Sequence, residues 1–204
     1  MAYASWLTPS KVSGSGNDTV NVSASSSNTG RNARTTTVTF KASNCPDVAR
    51  TVNQAGKPEF VTIQSAASVA KGGVATLTIT GTSNSSKLTF ALASGKTLTL
   101  TLPTTYTASG ASTNNGTAIT GDPGATAEYS FSIAFTNIPE NTTINSKEAQ
   151  LIVTDNAGNE ATCTITQAAG DPTLSVSPAS VDIPWDASSS ASFTVTSNTN
   201  WTVV

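Results

Sequence analysis

Histidine is absent from the 204 residues. That omission removes Ser-His and Cys-His nucleophile pairs and every imidazole-ligated metal site. Charge is scarce as well: charged residues make up 11% of the chain, the formal net charge is −2, and no basic stripe gathers the Lys and Arg that a phosphate backbone requires. A nucleic-acid partner is therefore not expected. No apolar run approaches the length that spans a bilayer, so membrane insertion is not expected either, and the opening MAYASWLTPSKV has no charged region followed by an apolar one. The two cysteines, Cys45 and Cys163, fall at non-equivalent positions of the repeat described below, which predicts free thiols rather than a disulfide framework. Carboxylates are few and scattered. Asp182 and Asp186 are near each other but flank a strand-to-loop junction, and they read as solvated turn residues rather than a glycosidase pair. DNAGNE, residues 155–160, lacks the alternating acids and terminal Glu of a calcium loop and reads as a hairpin turn. No catalytic residue, metal or cofactor is expected.

What is present is Thr, Ser, Ala, Asn, Gly and Val, a mixture of residues that suit pleated half-buried surfaces with residues that suit turns. Sustained helical periodicity is missing. Alternation of period two runs through VNVSA (20–24), TVTFKA (37–42), TLTIT (76–80), TLTLTL (97–102), YSFSIAF (129–135) and SFTVT (192–196), placing apolar side chains on one face. Many short strands separated by Gly, Asn and Asp turns predict an all-β chain of tandem immunoglobulin-like sandwiches.

An internal repeat divides the chain. Residues 20–40 lie without a gap over residues 133–153, so that Asn28, Thr29, Asn32 and Arg34 fall on Asn141, Thr142, Asn145 and Lys147, and Val38 and Phe40 on Leu151 and Val153. The register reaches TVNQAGKP (51–58) over TITQAAGDP (164–172), with Gln54 on Gln167 and Arg50 on Cys163. Arg50 then takes an apparently inward phase, which a bulge or edge position would explain. Residues 75–90 resemble residues 191–204, with a two- or three-residue length difference before Leu88 and Trp201. Residues 1–56 thus read as the back half of a domain, 58–171 as a whole domain with an insertion near 93–117, and 173–204 as the front half of another. In the insertion, an extra hairpin or strand is expected before the polar stretch TTYTASGASTNNGT.

Joined end to start, SPASVDI…FTVTSNTNWTVV and WLTPSKVSGSGNDTVNVSA…N…R…VNQAG resemble the BACON domain, the Bacteroidetes-associated carbohydrate-binding often N-terminal family. Trp201, Trp6, Asn28, Arg34 and Gln54 stand at its framework positions, which Leu88, Ile119, Asn141, Lys147 and Gln167 take in the middle domain. The resemblance implies a β-sandwich of gut Bacteroidetes or their phages, used to contact glycans or as a spacer. With Met1 as the native start, the missing export signal turns that expectation toward a virion: a capsid-attached, fibre or tail-associated phage structural protein. Otherwise an extracellular or cell-surface location is expected.

Half-sandwiches carry unpaired strand edges and an apolar inner face. Phe193, Val195, Trp201 and Val203 would each gain about 1.5–3 kcal/mol on burial, so a cover is expected. The candidate complementation residues are Trp6, Leu7, Val20, Phe193, Val195, Trp201 and Val203. Three arrangements supply the cover: pairing in trans with other copies head to tail or with neighbouring virion proteins, continuation of a longer tandem array, or closure within one chain. For host glycans, the alternative partner, an exposed aromatic is required. Trp185, at a strand end beside Pro184, and Tyr106, in the insertion, are the candidates.

Overall fold

The computed structural model describes residues 3–204; Met1 and Ala2 lie outside the described residues. Among the described residues fifteen strands follow in chain order: β1 Leu7–Pro9, β2 Val22–Ala24, β3 Arg34–Phe40, β4 Val48–Gln54, β5 Val61–Ile63, β6 Ala66–Val69, β7 Val74–Ser83, β8 Leu88–Leu92, β9 Thr105–Ala108, β10 Ala111–Asn114, β11 Tyr129–Ile138, β12 Lys147–Asp155, β13 Glu160–Gln167, β14 Leu174–Ser177 and β15 Thr194–Ser197. No helix occurs among the described residues, and the chain is all-β.

Between residues 58 and 171 two sheets enclose one core. One has the order β10-β9-β11-β7-β5 and the other β6-β13-β12-β8. Alternation explains the layering: β11 turns Tyr129, Phe131, Ile133 and Phe135 inward and leaves Ser130 and Thr136 to solvent. Facing it, β12 and β13 bury Leu151, Val153, Cys163 and Ile165. The core is contiguous, with Phe90 packed edge-on against Phe131 at 5.7 Å between ring centroids. DNAGNE joins β12 to β13 as a hairpin turn, in which the Asp155 carboxylate accepts from the backbone N–H groups of Ala157 and Asn159.

Two details of the insertion differ from expectation. TLTLTL forms no ladder: Leu98 is buried and Leu100 and Leu102 pack on the core, but the backbone near Leu98 meets β12 through little more than Leu98 N–H to the Glu148 carbonyl. Its leucines supply alternation without a neighbour to pair with. The following polar stretch, in contrast, forms the β9–β10 hairpin, turned by Ser109 and Gly110 with φ of 50° and 77°. Positive φ at both central residues of a two-residue loop suits the right-handed twist of the strands.

Outside this sandwich lie three two-stranded sheets, β1-β2 and β3-β4 before it and β14-β15 after it. Their inner faces are poorly covered.

Candidate functional site

The two N-terminal hairpins enclose a small apolar centre. Leu7 and Val38 are buried, Val20 and Trp6 are half-buried, and the Arg34 guanidinium lies over the Trp6 ring at 4.8 Å. Arg34 is fixed by donating from Nε to Gln54 Oε1 at 2.7 Å and from Nη2 to the Ser26 carbonyl. Cover ends there. Phe40 and Val48, opposite each other at the far end of the β3–β4 ladder, are both exposed. Arg50 pairs with Val38 in the same ladder, on the inner face as its phase requires, yet stays exposed and donates to the Ala49 carbonyl.

At the other end of the chain, Leu174, Val176, Phe193, Val195, Trp201 and Val203 line an apolar groove of about 280 Å³. Trp201 is 50% exposed and Phe193 51%. These two surfaces contain every residue expected to take part in complementation, but on separate bodies: Trp6, Leu7 and Val20 on one, the remaining four on the other.

Hydrogen bonds make the repeat explicit. Asn141 Nδ2 donates to the Asn145 and Ala168 carbonyls, and its Oδ1 accepts from Thr143 N–H. Asn28 makes the same three bonds, to Asn32 and Ala55 and from Gly30. Gln167 and Gln54 likewise donate to the equivalent carbonyls of Pro139 and Ser26. Residues 173–204 repeat the bonding of residues 58–92 through a Ser-Asn pair. Asn84 accepts from Phe60 N–H and donates to the Pro58 carbonyl, while Asn198 accepts from Thr173 N–H and donates to the Asp171 carbonyl. Val61 opposite Ser83 in the β5–β7 ladder corresponds to Leu174 opposite Ser197 in β14–β15. That register shortens the expected length difference before Trp201 to one residue, and it sets Phe193 at the position of the fully buried Ile79.

Equivalent positions differ sharply in burial. Leu88, Ile79 and Val153 are sealed in the middle sandwich, whereas Trp201, Phe193 and Phe40, their counterparts, are half exposed. The missing neighbours are strands. In the sandwich, β12 is flanked by β13 and β8, and β7 by β11 and β5. Among the described residues, β3 pairs with β4 alone and β15 with β14 alone.

The two terminal segments are joined to opposite ends of the sandwich. Arg31 reaches from the N-terminal part to a polar seat made by Asn84, Glu59 and Asp122: Nη1 and Nη2 donate to the two Asp122 carboxylate oxygens at 2.7 and 2.8 Å, Nη2 also donates to the Asn84 carbonyl, and Glu59 lies 3.3 Å from Nε. Glu59 is itself anchored beside the Asp155 end of β12, its carbonyl accepting from Asn159 and its carboxylate from Ser85 Oγ. At the other end, beyond Lys147, Asn198 donates to the Thr142 carbonyl and Lys71 pairs with Asp171. Nine residues of β12 separate these joints, roughly 27 Å of strand. Nothing in the residue pattern had marked the Arg31 seat. Its partners are 53 and 91 residues away in sequence, and single charged residues in turns carry no periodic signal.

The Arg31 guanidinium holds the Asp122 carboxyl below its ordinary value of 3.8, chiefly through their hydrogen bonds. A depressed carboxylate pKa stabilises the docked state above the unfolded value and is lost as pH falls through the folded one. Resonances of residues 28–34 are therefore expected to broaden or shift toward undocked positions on acidification below 3.8, and Asp122→Asn is expected to remove that step; an NMR titration measures both.

Of the two glycan candidates, Trp185 is 98% exposed, next to Asp186, which accepts from Ser189 Oγ. Tyr106 is corrected. It lies on β9 at 4% exposure, its ring 4.7 Å from that of Phe90, because the stretch read as a polar loop is a strand with one inward face. Burial pushes its hydroxyl pKa up to about 12, and it is not accessible to a sugar. Cys45 is exposed, Cys163 is buried with its thiol pKa raised by that burial, and both are free.

The family model BACON, described as a putative binding domain, N-terminal, matches residues 1–55. The resemblance read from Trp6, Asn28, Arg34 and Gln54 thus holds for this segment. A search of curated proteins returned no match.

Proposed function

We propose that the chain is a non-enzymatic binding module whose ligand is β-structure: residues 1–56 and 173–204 are back and front halves of a sandwich, and neighbouring copies join by strand complementation. The observation that carries this reading is the burial contrast between repeat-equivalent positions, sealed in the middle sandwich and open in the halves. Open apolar faces beside unpaired strand edges attract another chain with the matching pattern, main-chain hydrogen bonds supplying affinity and alternate side chains supplying register. Sedimentation of the full chain across a concentration series tests the reading. Mass is expected to grow beyond 20.6 kDa with concentration, and a species that stays at 20.6 kDa throughout would refute it. Such an assembly would serve a virion or a cell surface equally; purifying particles and probing them for the chain separates those settings.

A second reading has one specific support. Trp185 presents a nearly bare indole, an aromatic platform of the kind that suits a sugar ring, and Asp186 follows it directly in the sequence. A carbohydrate- or mucin-contacting surface predicts that retention on immobilised mucin or polysaccharide falls at least tenfold in Trp185→Ala, with sedimentation unchanged. Equal retention of wild type and variant would exclude Trp185 as the contact.

A further inference from the structure

The middle sandwich contains, strand for strand, the pairing that the two halves lack, and so supplies a template for their union. We infer that the occupant of the C-terminal groove is the N-terminal half of a second copy, and that Trp201–Val204 adds to the free edge of β3 antiparallel, with Trp201 opposite Ala42, Thr202 opposite Lys41 and Val203 opposite Phe40. This rests on the complementation reading and specifies its partner and register.

The register is transferred, not assumed. In the sandwich, β8 lies on β12 with Leu88 opposite Asp155, Thr89 opposite Thr154 and Phe90 opposite Val153. Asn28 and Asn141, with identical bonding, set the offset between β3 and β12 at 113 residues, which carries Asp155, Thr154 and Val153 onto Ala42, Lys41 and Phe40. Leu88 corresponds to Trp201, so Thr89 and Phe90 correspond to Thr202 and Val203. A second junction follows from the β7–β11 ladder, where Ile79 faces Ile133: their counterparts Phe193 and Val20 meet on the opposing sheet.

Side chains agree with this placement. Trp201 and Val203 line the open groove together with Thr202, Phe40 and Val48 stand exposed opposite each other at the end of the β3–β4 ladder, and Lys41 is exposed. Arg50, at the place of buried Cys163, is exposed in the free chain.

The partner is a second copy because the two segments of one chain are joined to opposite ends of the sandwich: Arg31 holds residues 1–56 near the Asp155 end of β12 and Asn198 holds residues 173–204 near the Lys147 end, with the length of β12 between the joints. Each copy consequently offers one acceptor edge and one donor strand, a heterologous contact that propagates head to tail.

Cross-linking tests the inference on the full chain. Cys45→Ser removes the exposed native thiol from every protein used. One protein then carries Lys41→Cys, another Thr202→Cys and a third Thr39→Cys, all at positions exposed in the free chain. Pairs are mixed, refolded together from denaturant and oxidised, so that any intermolecular bond joins different copies. Directly opposed residues lie within disulfide reach, whereas a two-residue slip along a strand separates Cα atoms by more than about 7 Å. The expected result is at least tenfold more cross-linked dimer from Lys41→Cys with Thr202→Cys than from Thr39→Cys with Thr202→Cys.

Preference for the Thr39→Cys pair would overturn the register while leaving complementation standing. Oxidation of one chain carrying both Lys41→Cys and Thr202→Cys to an internally bridged monomer would overturn the second copy as occupant. Absence of any cross-link together with a constant monomer mass would overturn both the register and the complementation reading beneath it.

Discussion

Trp201→Ser is expected to weaken self-association by about two to three orders of magnitude. Replacing a large aromatic that fills an apolar layer costs about 3–5 kcal/mol, and each 1.4 kcal/mol is a factor of ten in affinity. The larger effect falls on the assembled state. In the free chain Trp201 is 50% exposed and lines a groove rather than a sealed core, so truncation there removes only the part of its burial already made. Thermal unfolding of the dilute monomer should therefore change less than assembly does, while light scattering or sedimentation shifts toward 20.6 kDa. Val203→Ser supplies a smaller effect in the same direction, since a single aliphatic side chain carries less apolar area. Retention of full assembly by Trp201→Ser would remove this strand from the interface.

Phe135→Ala is expected to destabilise the middle sandwich by about 3–5 kcal/mol, a large fraction of the stability of a domain of this size. Phe135 is 1% exposed, is paired on β11 with Leu77 of β7, and belongs to the contiguous core; alanine there leaves a void that the flanking strands, held by ladders on both sides, cannot close. Its repeat-equivalent, Val22, stands on β2 with 42% of its surface free. Val22→Ala should cost under about 0.5 kcal/mol in the dilute monomer, as exposed substitutions do. Urea denaturation of the two variants measures the contrast directly. It separates a sequence position from its environment, because the two residues occupy the same place in the repeat and differ in what lies across from them.

Much of this was readable from residue order. The alternation in YSFSIAF and TLTIT specifies β11 and β7, since period two on a half-polar strand leaves one way to bury the apolar set. DNAGNE specifies its hairpin through an Asp that accepts two backbone bonds within its own turn. Asn28, Asn141, Gln54 and Gln167 stood out by repetition, and their bonding explains it: each amide closes carbonyls of the loop beside it. Local chemistry of this kind travels with the sequence. The insertion was harder. TLTLTL has the pattern of a strand but lacks a neighbour along its length, whereas TYTASGAST, rich in Thr and Ser, forms a hairpin because Ser109 and Gly110 accept positive φ and Tyr106 finds Phe90. Polar composition hid its inward face.

By itself the sequence determined the all-β class, the repeat, the framework asparagines and glutamines, and the apolar alternation of both terminal segments, all properties encoded within a few residues of each position or by direct repetition. Only the tertiary structure decided that those segments are joined at opposite ends of β12, that Arg31 closes one joint on Glu59, Asn84 and Asp122, that Tyr106 is core while Trp185 is bare, and that Trp201 lines an open groove. These depend on which strand edges remain unpaired after folding. Pairing is a relation between segments far apart in the chain, and no single segment carries it.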